Sequence, residues 1–206
     1  MSLTVAQMKR TPIKYTKQLG IANLIRGAVI DLLGVRPNGV RFAGGAARDM
    51  LDGILPKDYD LIIPRHAFNR SVYDVTITFA AEAAACMEDL MRSLRTHFQG
   101  CEVAVYQAYE QSSGDFDERL LCAGYIRWKG VQVDILMSTY DTLLDAITHF
   151  DSDINQAFID DNHVYHVDVG SYKMLREARS ECRYQKLLAV AQRRGTHLNR
   201  YEPTEI

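Results

Sequence analysis

Two aspartates, Asp58 and Asp60, open a run to Ile63 that turns apolar behind them. The strand period of two points both carboxylates to one face, close enough together to hold a hard divalent cation. Without a cation they repel each other. Upstream, Val40 to Ala43 reads as a short strand running into Gly44-Gly45 and then a short helix, Ala46 to Leu51, that closes at Gly53. Two glycines at a strand-to-helix turn leave backbone N–H groups free at the positive end of a helix dipole, with no side chain blocking approach. That geometry holds a phosphate. With a cation nearby, Lys57 standing directly before Asp58, these are the parts a phosphoryl-transfer site needs. The alternative is structural: a tight turn, and a solvated Asp-x-Asp at a strand edge.

The elements that must position these residues follow from periodicity and punctuation. Leu24, Ile25, Ala28, Val29 and Leu32 recur at helical spacing between Tyr15 and Leu33, and Gly34 and Pro37 stop the pattern. Pro64 to Thr78 lacks a period and reads as a loop or insertion; Phe79 to Phe98 is a second amphipathic helix. Cys101 to Tyr109 alternates as a strand, with a polar Ser112-Ser113-Gly114 loop after it. Leu120 to Trp128 and Val131 to Met137 form an antiparallel pair joined by Lys129-Gly130. Tyr140 to His149 is a short helix, Asn155 to Val167 a hairpin around Asp160-Asp161-Asn162, and Ser171 to Arg194 a long terminal helix. The order predicts an α+β (or α/β) fold with a mixed sheet and helices packed against it. The chain is expected to be a single domain over 1–206, with a core of about 15–167 and a C-terminal helical segment of about 171–195.

Composition narrows the classes. The 206 residues are 47% hydrophobic with a net charge of -2, enough apolar content for a core and no global basic excess to advertise nucleic acid. Cys86, Cys101, Cys122 and Cys182 are scattered without a Cys-x-x-Cys pair and read as reduced, mostly buried thiols; the six His form no metal-spaced pair. No Gly-x-Ser-x-Gly elbow or P-loop Lys-Ser/Thr is present. With no apolar run long enough for a signal peptide or a membrane span, a cytoplasmic protein without membrane contact is the expectation.

Gly-Gly-x-x-Arg-Asp-x-Leu-x-Gly followed by Lys-Asp-x-Asp, over Phe42 to Ile63, resembles the catalytic head of the DNA polymerase β nucleotidyltransferase superfamily, in the version carried by CCA-adding enzymes and bacterial poly(A) polymerases. The resemblance implies that Gly44 and Gly45 line a triphosphate, that Asp58 and Asp60 bind two Mg²⁺ (or Mn²⁺), and that Arg48, Asp49 and Lys57 serve the nucleotide. It also implies a third carboxylate on a neighbouring strand. Val131, Val133 and Ile135 alternate toward the core, so Asp134 lies on the opposite face, either as an isolated exposed residue or as that third carboxylate. His149-Phe150-Asp151-Ser152-Asp153-Ile154-Asn155 resembles the family's Arg-Arg-Asp-Phe-Thr-Ile-Asn, matching at Asp151, Ile154 and Asn155 but holding His149 and Phe150 in place of the two arginines. In the terminal segment Lys173, Arg176, Arg179, Arg183 and Lys186 fall on one face of the expected helix, as a stripe for triphosphate or RNA or as a solvated face beside Glu177 and Glu181. Glu-Asp-x-x-Arg, the base-selecting motif, is not reproduced.

The expected function is therefore a metal-dependent nucleotidyltransferase, moving a nucleoside monophosphate from an NTP to an acceptor hydroxyl on RNA, a small molecule or a protein, with a partner protein as one source of acceptor binding. The alternative of a different class is a catalytically silent nucleotide-binding module of the same fold.

Overall fold

A computed structural model describes residues 3–68, 80–107, 119–178 and 180–203. Arg179, the Ser112–Gly114 loop and all but the first residues of the expected Pro64–Thr78 loop lie outside the described residues. The strands are β1 (Lys9–Pro12), β2 (Arg41–Ala43), β3 (Tyr59–Ile63), β4 (Glu102–Gln107), β5 (Leu120–Trp128), β6 (Val131–Ser138), β7 (Ala157–Asp160), β8 (His163–His166), β9 (Tyr172–Lys173) and β10 (Leu198–Asn199). The α-helices are α1 (Lys17–Leu33), α2 (Gly45–Leu51), α3 (Ala80–His97), α4 (Leu143–Thr148) and α5 (Glu181–Arg193). Eight strands form one mixed sheet in the order β1-β8-β7-β2-β3-β6-β5-β4, parallel only between β3 and β6; β9 and β10 pair separately. The expected α+β class, mixed sheet and C-terminal helix are all present.

Alternation sorts the two faces of the sheet. Tyr59, Leu61 and Ile63 of β3 and Val131, Val133, Ile135 and Met137 of β6 are buried in a main core with α1, α2 and α3. The intervening residues, Asp60 and Ile62 on β3 and Gln132, Asp134 and Leu136 on β6, therefore project from the other face. There α4, capped by Thr142, packs Leu143, Ala146 and Ile147 against Ala43, Ile62 and Phe158. Lys129 and Gly130 both adopt positive φ, the two-residue hairpin their sequence announced.

The terminal segment corrects the sequence reading. The helix begins at Glu181, ten residues later than Ser171, because the Ser180 hydroxyl caps it by accepting from the Arg183 amide, while Tyr172 and Lys173 are a strand. Buried Tyr172 and Met174, two residues apart, pack with Ile154 and with Tyr184, Leu187 and Val190 of α5 in a second core. Lys173 and Arg176 are thus not on the helix, and the five-residue basic stripe does not exist as one helical face; only Arg183 and Lys186 of it lie on α5. The edge strand β1 was also absent from the sequence reading. Four residues are too few to show a period, and its Pro12 sits where an edge strand tolerates it. Of the four thiols, Cys122 is buried and Cys182 is exposed on α5; no disulfide joins them.

Candidate active site

Gly44 ends β2 and caps α2 with φ +67°, a left-handed value that disfavours any residue with a Cβ. A Cβ built there would also meet the Phe150 ring at 3.3 Å and the Asp60 carboxylate at 3.8 Å. The turn and the carboxylate are brought together by the sheet itself, since Ala43 pairs with Asp60 across β2 and β3. One strand further, Asp60 pairs with Asp134 across β3 and β6. Ala43, Asp60 and Asp134 thus stand in a row across the sheet, with Gly44 directly after Ala43.

The electrostatics match that crowding. Burial, then the charges of Asp134 and Asp58, push the Asp60 carboxyl up to about 7 against the pull of Arg183 and Arg48. Asp134 is also raised, by burial first, with a hydrogen bond from Gln132 opposing and Asp58 adding to the rise. Among the described residues no three His, Cys, Asp or Glu side chains close into a ready metal cage. What the donor set offers is hard carboxylate oxygens that repel one another, with Asp60 accepting no hydrogen bond from a described residue. A divalent cation suits that set.

Beside the row opens a cleft of about 140 Å³ lined by Gly44, Gly45, Asp60, Arg119, Phe150 and Arg183, with Asp151 and Asn155 in its wall. The wall is a polar chain, buried at Arg48, Asn155 and Asp151 and half-exposed at Arg183. The Arg183 guanidinium donates to Asp151, Asn155 Nδ2 donates to Asp151 Oδ1 at 2.9 Å, and Arg48 Nη1 donates to Asn155 Oδ1 at 2.8 Å. Arg48 also grips its neighbour Asp49, with Nη2 at 2.6 Å from Oδ1. Burial works to raise Asp151, but the Arg183 hydrogen bond and charge, with the Asn155 amide, outweigh it and hold the carboxyl below its ordinary value.

No protein-family model and no curated protein matches the sequence. Solved structures do match. A CCA-adding enzyme with CTP superposes with a TM-score of 0.55 at 16% identity, over 95% of this chain and 44% of that one. The Thermotoga maritima CCA-adding enzyme complexed with tRNA gives 0.53 at 17%, over 95% and 43%. An apo CCA-adding enzyme gives 0.51 at 18%, over 95% and 44%. The chain has a nucleotidyltransferase fold. It spans less than half the length of those enzymes.

Within this nucleotidyltransferase fold the sequence-predicted residues divide. Gly44, Gly45, Asp60, Asp151, Asn155 and Arg183 meet at the cleft, and Asp134 and Asp58 stand beside Asp60. Arg48, 4% exposed, and Asp49 are spent on each other and on Asn155, behind the wall. Lys57 is exposed and makes no ion pair among the described residues; Lys173 and Lys186 are exposed away from the lining. Sequence reasoning missed Arg119 and Tyr140, which line the cleft. Arg119 carried no signal, because its place depends on where β5 enters the sheet. Gln132 did carry one, standing two residues before Asp134 on a recognised strand.

The Arg183–Asp151 pair bears on stability as well as on binding. Asp151 is 6% exposed, so Arg183→Ala leaves a carboxylate with one partner fewer, whereas a solvated stripe would tolerate the change. With Arg183 half-exposed the cost is discounted to roughly 1 kcal/mol at pH 7. A carboxyl held low stabilises above its unfolded pKa, and that contribution is lost as pH falls through the folded value. The gap between variant and wild type in urea melts is expected to close toward pH 3. A gap of equal size at pH 7 and pH 3 would contradict the pairing.

Proposed function

We propose that the chain is a metal-dependent nucleotidyltransferase that joins the nucleoside monophosphate of an NTP to an acceptor hydroxyl. The observation that carries the reading is the meeting of the Gly44–Gly45 turn with Asp60 on the lining of one cleft, with Asp134 paired to Asp60 on the next strand. Gly44 and Gly45 put no side chain between the backbone and a triphosphate, at a turn where the Gly44 N–H is held by the Ala157 carbonyl and a Cβ on Gly44 would stand 3.3 Å from the Phe150 ring; Arg183, on the same cleft lining, supplies a cation for its phosphates. The acceptor oxygen forms a bond to the α-phosphorus as the bond from that phosphorus to the bridging oxygen breaks, and pyrophosphate leaves. In this reading Asp134, one strand beyond Asp60 from the glycine turn, takes the proton of the acceptor hydroxyl.

Asp58, Asp60 and Asp134 would hold Mg²⁺ or Mn²⁺, which when bound neutralises charge on the attacking and leaving oxygens. The chain's own part is to hold the Asp60 and Asp134 carboxylates in fixed register on adjacent strands, so that orientation is built before substrate arrives. RNA, a small molecule and a protein side chain are the acceptor classes to separate, with a partner protein as one route to acceptor binding, and the cytoplasm is the proposed compartment.

Calorimetry tests the shared dependence on cation. Triphosphate and the carboxylate row are both negative and cannot share the cleft unscreened. NTP affinity is expected to fall at least about tenfold when EDTA replaces Mg²⁺, and equal affinity in both conditions would contradict the reading.

A further inference from the structure

The hairpin that carries Asp134 also carries a row of side chains with no part in the steps above. Glu102, Arg127 and Gln132 face one another in register across β4, β5 and β6, and Gln132 shares its strand face with Asp134 two residues on. Hydrogen bonds run the length of the row. Arg127 Nη1 donates to Glu102 Oε2 at 3.0 Å, Arg127 Nη2 donates to Gln132 Oε1 at 2.8 Å, and Gln132 Nε2 donates to Asp134 Oδ1 at 2.9 Å. The two neighbours of Gln132 fix the sense of its amide: a guanidinium only donates and an ionised carboxylate only accepts. The reverse orientation would set N–H against N–H at one end and oxygen against oxygen at the other.

We infer that Gln132 is a positioning residue for nucleotidyl transfer: it occupies Asp134 Oδ1, so that Oδ2 is the oxygen offered to a divalent cation or to the acceptor hydroxyl, and Arg127 locks the Gln132 amide in that sense. This rests on the reading of Asp134 as one of the reacting carboxylates. Rotation about the last torsion of an aspartate is soft, and an Asp134 without its amide partner would offer either oxygen. The outer members of the row are exposed, Arg127 at 51% and Glu102 at 66%, so their ion pair adds little stability. Its effect is on orientation. Partners of this kind, one shell out from a ligating carboxylate, change metal affinity or activity by about 10- to 100-fold when removed.

The test compares wild type, Gln132→Leu and Arg127→Leu by three measurements: Mn²⁺ binding alone, followed by electron paramagnetic resonance; kcat and KM for transfer from labelled NTP; and melting temperature. Gln132→Leu is expected to weaken Mn²⁺ binding and lower kcat, each by about tenfold, with KM for NTP within about twofold and the melting temperature close to that of wild type. Arg127→Leu keeps the amide but frees it to flip, and shifts the same two quantities in the same direction by less; it also stands in should Gln132→Leu fold poorly. Variants matching wild type in both Mn²⁺ affinity and kcat overturn the positioning role and leave the carboxylate set standing. A wild-type protein that binds no Mn²⁺ overturns the carboxylate set, and the inference with it.

Discussion

Asp60→Asn is expected to raise the melting temperature of the metal-free protein at pH 8 while abolishing transfer. The two effects have one cause. In the folded chain the Asp60 carboxyl is pushed up to about 7 by burial and by Asp134 and Asp58, whereas in the unfolded chain it titrates near about 4. Below that unfolded value both states carry the proton, and variant and wild type should be equally stable. As pH rises from about 4 to about 7 the unfolded state ionises first, so wild-type stability falls; above 7 the full penalty remains. Converted directly the shift is worth about 4 kcal/mol, and with local relaxation roughly 2–4 kcal/mol, or about 5–10 °C in a chain of this size. The nearly isosteric amide removes the charge and therefore the penalty. It also removes a hard anionic ligand, so NTP with Mg²⁺ should stabilise wild type by linkage and the variant far less. Melting curves at pH 4 and pH 8, with and without Mg²⁺ and NTP, check all of this. If Asp60 were a structural residue, the metal-free variant would melt lower than wild type at pH 8.

The second large effect is expected at Arg48 and has the opposite sign. Its guanidinium is buried and divides its donors between Asp49 and Asn155, which in turn donates to Asp151. Arg48→Leu removes the only cation of that pair and leaves Asn155 Oδ1 and Asp49 without it, so unfolding should become easier by about 3–5 kcal/mol, roughly 10 °C in melting temperature. Arg48→Lys, with one compact ammonium in place of a fork, should recover only part of the loss. The family resemblance instead makes Arg48 a nucleotide contact. On that assignment the apo protein would melt as wild type, and only NTP affinity would drop; melting the variants without ligand separates the two.

Much of this arrangement was legible because it rests on local periods. The alternation Tyr59, Leu61, Ile63 against Asp58 and Asp60, and Val131, Val133, Ile135 against Asp134, specifies which face of each strand is buried, and the carboxylate row follows once β3 and β6 are neighbours. Gly44-Gly45 announced a strand-to-helix turn, and Gly44 takes there the positive φ that glycine adopts freely. The terminal segment was misread because helical spacing of Lys173, Arg176, Arg179, Arg183 and Lys186 can arise without a helix. The Ser180 cap, with Glu181 behind it, marked the true start, and Tyr172 and Met174 were obeying a strand period over too few residues to register. Arg183 reached the cleft through its pairing with Asp151, not through a stripe. Arg119 and Tyr140 enter the site only through the closing of the sheet, a long-range event that no window of sequence carries.

The most direct test of nucleotidyl transfer is incubation of the purified chain with each α-³²P-labelled NTP, Mg²⁺, and in separate reactions total RNA, a small-molecule extract and a protein extract. A labelled product is predicted in one acceptor class, with pyrophosphate released in equal amount, with EDTA abolishing it and Asp60→Asn unable to form it. Absence of labelled product in every class, from a protein that calorimetry shows to bind NTP with Mg²⁺, would contradict the transferase account and leave a nucleotide-binding module of the same fold.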